Sequence, residues 1–144
     1  MRRRSALLWF CMRRIIGEGP DGAQEKFRRS GVEKANLLRG LPDAGAAEQF
    51  EPLLEAEGVL VERITSRGQC SAADDWYQSA RAEWVTVVQG RARLMWEDGS
   101  VLEMEAGDHV TIPAGCRHRV DWTDPAQDTV WLAVHLPESR GQVS

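Results

Sequence analysis

Two groups in this chain have the side chains and the surroundings to do proton or metal chemistry. Glu83 opens Glu83-Trp84-Val85-Thr86-Val87-Val88-Gln89-Gly90, a carboxylate leading into a β-branched run that a glycine closes. His118 ends Gly107-Asp108-His109-Val110-Thr111-Ile112-Pro113-Ala114-Gly115-Cys116-Arg117-His118, where glycine, proline, glycine and histidine punctuate another strand-like stretch. A carboxylate and an imidazole forced into one interior can share a metal, or can form a hydrogen-bonded pair in which each offsets the other's desolvation. Both readings stay open at this level. Cys116, two residues before His118, is a nucleophile by type, but the sequence offers no third group to orient it.

The elements that must position these groups are short strands. Apolar or alternating runs are predicted as strands at Phe50–Ala56, Gly58–Thr65, Trp84–Gln89, Arg91–Trp96, Val101–Glu105, His109–Ile112, Arg117–Trp122 and Thr129–Leu136. Glycine-rich turns separate them, among them Glu97-Asp98-Gly99-Ser100, where Asp-Gly suits the positive φ of a hairpin. No helix-period segment intervenes, which indicates an all-β sandwich or barrel. Alternation along the strand of His118 puts Cys116, Val120 and Trp122 on its face and Arg117, Arg119 and Asp121 on the other. Glu83 carries Val85 and Val87 with it, and the last strand is apolar on both faces, so the side taken by His135 stays open.

The two spaced patterns resemble the signature motifs of the cupin superfamily, E(X)6G closing the first and G(X)5PXG(X)2H opening the second, over roughly residues 50–136. The resemblance implies a single jelly-roll, or double-stranded β-helix, barrel in a small bacterial protein, with Glu83 and His118 pointing inward. It also implies a divalent iron, manganese, nickel or zinc ion held by this glutamate and three histidines. Here the chain departs from the pattern, because the segment that should carry HXH reads Asp74-Asp75-Trp76-Tyr77-Gln78-Ser79. Counting back from Glu83 with a four-residue gap puts Trp76 and Gln78 in the histidine positions, and a three-residue gap puts Tyr77 and Ser79 there. The candidate metal set is therefore Glu83 and His118 with Gln78, beside the metal-free alternative, and Asp74, Asp75, Cys116 and His135 are further conceivable ligands. Trp76, Cys116 and Trp122 are expected to line the pocket, and the two tryptophans suggest a flat or apolar ligand over a phosphosugar. The expected function is the binding of a small organic molecule. A metal-dependent oxygenase, isomerase or lyase using Glu83 and His118 is the alternative.

The bulk of the sequence narrows the partners. Residues 1–34 hold nine Arg and Lys against four Asp and Glu, a charge of +5, whereas residues 35–144 hold nine against eighteen and carry −9. An acidic main body argues against nucleic acid as a partner, since phosphate contacts need a basic face. The run Ala6–Met12, flanked by Arg2-Arg3-Arg4 and Arg13-Arg14, is too short to span a bilayer and lacks a signal cleavage pattern. Three scattered cysteines give no disulfide framework, which fits a reducing cytoplasm. The expected organisation is a basic, irregular or partly helical extension at 1–34 and a barrel domain at 35–144. A small barrel with apolar strands on both faces is expected to form a homodimer.

Overall fold

The computed structural model describes residues 30–140, so the expected extension lies almost wholly outside the described residues. Among the described residues there is no helix, and eight strands account for the regular structure: β1 (Gln49–Ala56), β2 (Val59–Ser66), β3 (Glu83–Gln89), β4 (Arg91–Trp96), β5 (Val101–Glu105), β6 (His109–Ile112), β7 (His118–Thr123) and β8 (Thr129–His135). Each lies within a residue or so of its expected position. All pairings are antiparallel, in a five-stranded sheet of order β1-β2-β8-β3-β6 and a three-stranded sheet of order β5-β4-β7. The two sheets face each other as an all-β jelly-roll barrel. No described helix is long and apolar enough to cross a membrane.

Register decides which side chains meet inside. Opposite residues of an antiparallel pair share a face, and β8 lies between β2 and β3 with Ile64, Trp131 and Val87 in one row, Glu62, Ala133 and Val85 in the next, and His135 beside Glu83 at the end. The core is built from these rows and from Ala92, Leu94, Met104 and Ile112 opposite them. β8 thus faces its Trp131, Ala133 and His135 inward, a choice its two apolar faces leave open in the sequence.

The outer face of β2 is covered by the chain that precedes β1. Arg63, buried, donates to both carboxylate oxygens of Glu51 at 2.8 and 2.9 Å and to the carbonyls of Leu37, Arg39 and Gly40. Gln69 donates to Ala44 O, and Ser66 donates to Glu48. Residues 37–48 therefore belong to the packed unit although they form no strand before Gln49.

Gly90 marks the tightest point of the connection between the sheets. Its φ is +85°, and a Cβ there would sit 2.7 Å from Thr129 Oγ1 and 2.8 Å from Asp128 O and Thr129 Cα. Only glycine admits both the backbone angle and the approach of β8.

Candidate functional site

Glu83 begins β3 beside the end of β8, and His118 begins β7 in the opposite sheet. The jelly roll brings their inward side chains together: His118 Nε2 is 3.1 Å from Glu83 Oε1, and both side chains are buried. The other oxygen of Glu83 lies 3.3 Å from His135 Nδ1, and His135 Nε2 is 2.8 Å from Glu62 Oε1. Four groups thus alternate through the interior: Glu62, His135, Glu83, His118. His118 Nδ1 is 3.1 Å from the carbonyl of Cys116, which can only accept, so this nitrogen carries hydrogen.

Burial pulls the His118 imidazole down, but the hydrogen bond to Glu83, the bond to Cys116 O and the charge of Glu83 together outweigh it. The net effect raises its pKa above the ordinary 6.5. The Glu83 carboxylate thus favours the protonated form of the His118 imidazole.

A non-strand segment closes this side of the barrel by pairing with the chain around β7. Ser71 N donates to Val120 O, Tyr77 and His118 exchange two backbone hydrogen bonds of 2.8 and 3.0 Å, and Gly115 N donates to Ser79 O. The bridge puts Tyr77 on the face of His118, with the rings edge to face at 5.4 Å. Trp96, the β4 residue opposite His118, lies 6.5 Å away on its other flank. The Tyr77 ring is half-exposed, so it forms the rim between the site and solvent.

Several expected site residues are elsewhere. Trp76 packs outside β7, with the Arg119 guanidinium 5.4 Å above its ring, and Tyr77 takes the inner place assigned to it. Gln78 is exposed and donates to Gly115 O at 3.2 Å, away from Glu83 and His118. Trp122 is also corrected to the outer face. The β4–β7 register slips between Arg93 and Leu94, so Leu94 pairs with Val120 but Arg93 with Trp122, and Thr123 instead packs inward beside Ala92. The residue skipped by the bulge, Asp121, binds Arg93 and Arg119 on the outside. Trp122 there lines an open groove of about 570 Å³ with Arg91, Arg93, Glu103, Glu105 and Asp108. Cys116, half-buried against the core, stays beside the site and contributes its carbonyl. Asp74 and Asp75 are exposed. Sequence reading missed Glu62; its signal was an acid on the same face of β2 as Leu60 and Ile64, a costly place for an unpaired charge.

The residues present do not fit the divalent ion that the resemblance implies. Tyr77, whose bridge to His118 identifies the three-residue register, stands with Ser79 where two imidazoles are needed. Ser79 Oγ accepts from Arg81 N, and each Glu83 oxygen lies against an imidazole nitrogen. No three His, Cys, Asp or Glu side chains among the described residues converge as a metal shell. Glu83 and His118 form a buried acid–base pair with His118 Nε2 and Glu83 Oε1 in contact.

The model of the cupin domain matches residues 67–135. Among solved structures, the chain is 45% identical to a protein of Ralstonia eutropha JMP134 described provisionally as a mannose-6-phosphate isomerase, with a TM-score of 0.70 over 74% of this chain and 99% of that one. It also resembles a cupin superfamily protein of Desulfitobacterium hafniense DCB-2, at 13% identity and a TM-score of 0.55 over 85% of this chain and 94% of that one. An RmlC-like cupin family protein with a double-stranded β-helix fold from Methanocaldococcus jannaschii is 19% identical, with a TM-score of 0.56 over 74% of this chain and 93% of that one. Nothing among curated proteins matches the chain.

Proposed function

This chain belongs to the cupin superfamily, and from that membership we propose that its barrel binds a small, uncharged organic molecule beside Tyr77 and His118 and moves a proton on it without a metal. The observation that carries this reading is the contact between Glu83 and His118, a buried carboxylate and imidazole 3.1 Å apart next to a half-exposed rim. Such a pair gives or takes a proton at a bound carbon or oxygen, with Glu83 stabilising the imidazolium form of His118. Isomerisation of a carbonyl compound is chemistry of this class. The provisional description of the Ralstonia protein supports that direction.

Charge argues against the phosphate in that description. The seven arginines from Arg63 to Arg119 are each engaged elsewhere, with Glu51, Asp128, Asp124, Asp121, Glu97 or backbone carbonyls. The sequence has no lysine after Lys34. A dianionic group at the rim would meet the Glu83 carboxylate with no described arginine or lysine free to offset its desolvation. A ligand that is uncharged and flat enough to lie against Tyr77 suits the site better.

A second reading, a barrel that binds without turnover, is favoured by the fact that both Glu83 oxygens already face histidines. The two are separated by incubating the protein with unphosphorylated aldoses and ketoses, and with mannose 6-phosphate, in deuterium oxide. Ligand-observed NMR reports binding, and loss of the proton signal next to the carbonyl reports transfer. The proposal expects binding and exchange with an uncharged member, both weakened in Glu83→Gln and His118→Ala. Preference for the phosphate ester, or activity restored only by iron(II), manganese(II), nickel(II) or zinc(II), refutes it; binding without exchange selects the second reading.

We also propose a homodimer, supported by the half-buried Val61, Val134 and Trp84, one row across the outer face of the five-stranded sheet. A cytoplasmic location is proposed with it, supported by three cysteines without a disulfide framework.

A further inference from the structure

The proposed reaction uses Glu83 and His118 and leaves Glu62 and His135 without a role. Neither is a packing residue by type, and their place is not cheap. Their side chains are 16% and 13% exposed, and each must be paired where it lies. His135 has a carboxylate oxygen against each ring nitrogen, Glu62 Oε1 at 2.8 Å and Glu83 Oε2 at 3.3 Å. A carboxylate oxygen accepts, so His135 Nε2 donates to Glu62, and this bond turns the ring so that Nδ1 lies against Glu83 Oε2. Glu83 in turn presents Oε2 to His135 and Oε1 to His118 Nε2, while His118 Nδ1 is committed to Cys116 O.

The register explains why the arrangement is rigid. Glu62 projects from β2 and Glu83 from β3, the two neighbours of β8, and His135 at the end of β8 lies directly opposite Glu83. Arg81 holds this corner by donating to the carbonyls of Gly58, His135 and Leu136. The ring of His135 is therefore clamped between two carboxylates on the strands that flank it.

We infer that Glu62 is a positioning residue: it fixes the His135 ring so that His135 holds one oxygen of Glu83 and thereby aims the other at His118. The chain Glu62–His135–Glu83–His118 then acts as one unit. Glu62 touches neither His118 nor the rim, and its influence on them passes entirely through His135 and Glu83. This inference rests on the reading of Glu83 and His118 as the working pair. Its test is independent of any ligand, so a barrel that proves to bind nothing would sink that reading and leave this one standing.

The test is long-range ¹⁵N–¹H correlation of the imidazole rings in the full chain, comparing wild type with Glu62→Gln and Glu62→Asp at neutral pH. In the wild type His135 Nε2, bonded to Glu62, and His118 Nδ1, bonded to Cys116 O, are expected to carry hydrogen. Glu62→Gln keeps the shape but lets an amide face His135 Nε2. It is expected to change the His135 pattern and, with it, the His118 Nε2 signal, although position 62 makes no contact with His118. Glu62→Asp, which keeps the carboxylate, is expected to restore the His118 signal at least in part. If Glu62→Gln alters His135 and leaves His118 Nε2 where it was, or if Glu62→Asp matches it without any recovery, the coupling is overturned. Should the variants fail to fold, the wild-type spectrum decides: a His135 ring whose Nε2 carries no hydrogen, and so cannot be held by Glu62, overturns the inference.

Discussion

Gly90→Ala is expected to be among the most damaging single-methyl additions in the barrel, and the structure says why. Two costs combine. An alanine must adopt a φ of +85°, the left-handed region that L side chains avoid at a cost of about 1–2 kcal/mol. Its Cβ must also fit 2.8 Å from Asp128 O and Thr129 Cα, both main-chain atoms that no rotamer change can move aside. Forcing a methyl into such a contact costs about 1–3 kcal/mol more. Thr129 is itself fully buried and bonded to Arg91 O, so β8 has little room to retreat. A loss of about 4 kcal/mol, or a fall of roughly 13–17 °C in Tm for a domain of this size, follows. The control is Gly107→Ala, with φ +97° and nothing within 4 Å of its Cβ, where only the backbone cost of about 1–2 kcal/mol applies. Urea unfolding of both variants with wild type measures the difference. Equal losses at the two positions would refute the packing argument, because the strained φ is common to both and the contact is not.

Arg63→Met should cost about 3–5 kcal/mol in urea unfolding, since it strands Glu51 and the Leu37, Arg39 and Gly40 carbonyls while keeping most of the volume. His118 has a folded pKa raised above 6.5, so its contribution to stability is fully present below that pH and is lost as pH rises through the folded value. The unfolding free energy of wild type relative to His118→Gln should therefore shrink from pH 6.5 upward, and a difference that grows with pH would contradict the Glu83 contact. Glu48 is raised above 4.5 by desolvation, partly opposed by its bond from Ser66. Its ionisation thus weakens the fold as pH rises, and Glu48→Gln should raise Tm at neutral pH with the gain fading below pH 4.5. Light scattering on residues 35–144 tests the proposed homodimer, and a monomer at micromolar concentration would count against it.

The sequence by itself determined the strands and the barrel, because their signals are local: the period-two alternation of Arg91–Trp96, the Asp98-Gly99 turn, and glycines at 90, 107 and 115 that take positive φ. It also made Glu83 and His118 the residues to watch, through two spaced motifs that resemble those of the cupin superfamily. What it left undecided were matters of pairing between distant segments. His135 and Glu62 became part of the site only through the register of β8 against β2 and β3, and two apolar faces on β8 carry no sign of which is inner. Trp122 moved outside because one residue, Asp121, is extra in β7, and a bulge is a property of two paired strands rather than of either alone. Trp76 and Tyr77 exchanged places for a related reason: their segment has no alternation of its own, and the backbone bridge between Tyr77 and His118 set which ring faces in. Local patterning fixes what a strand is. Only the tertiary contacts fix where its faces point, and the chemistry of this barrel depends on that.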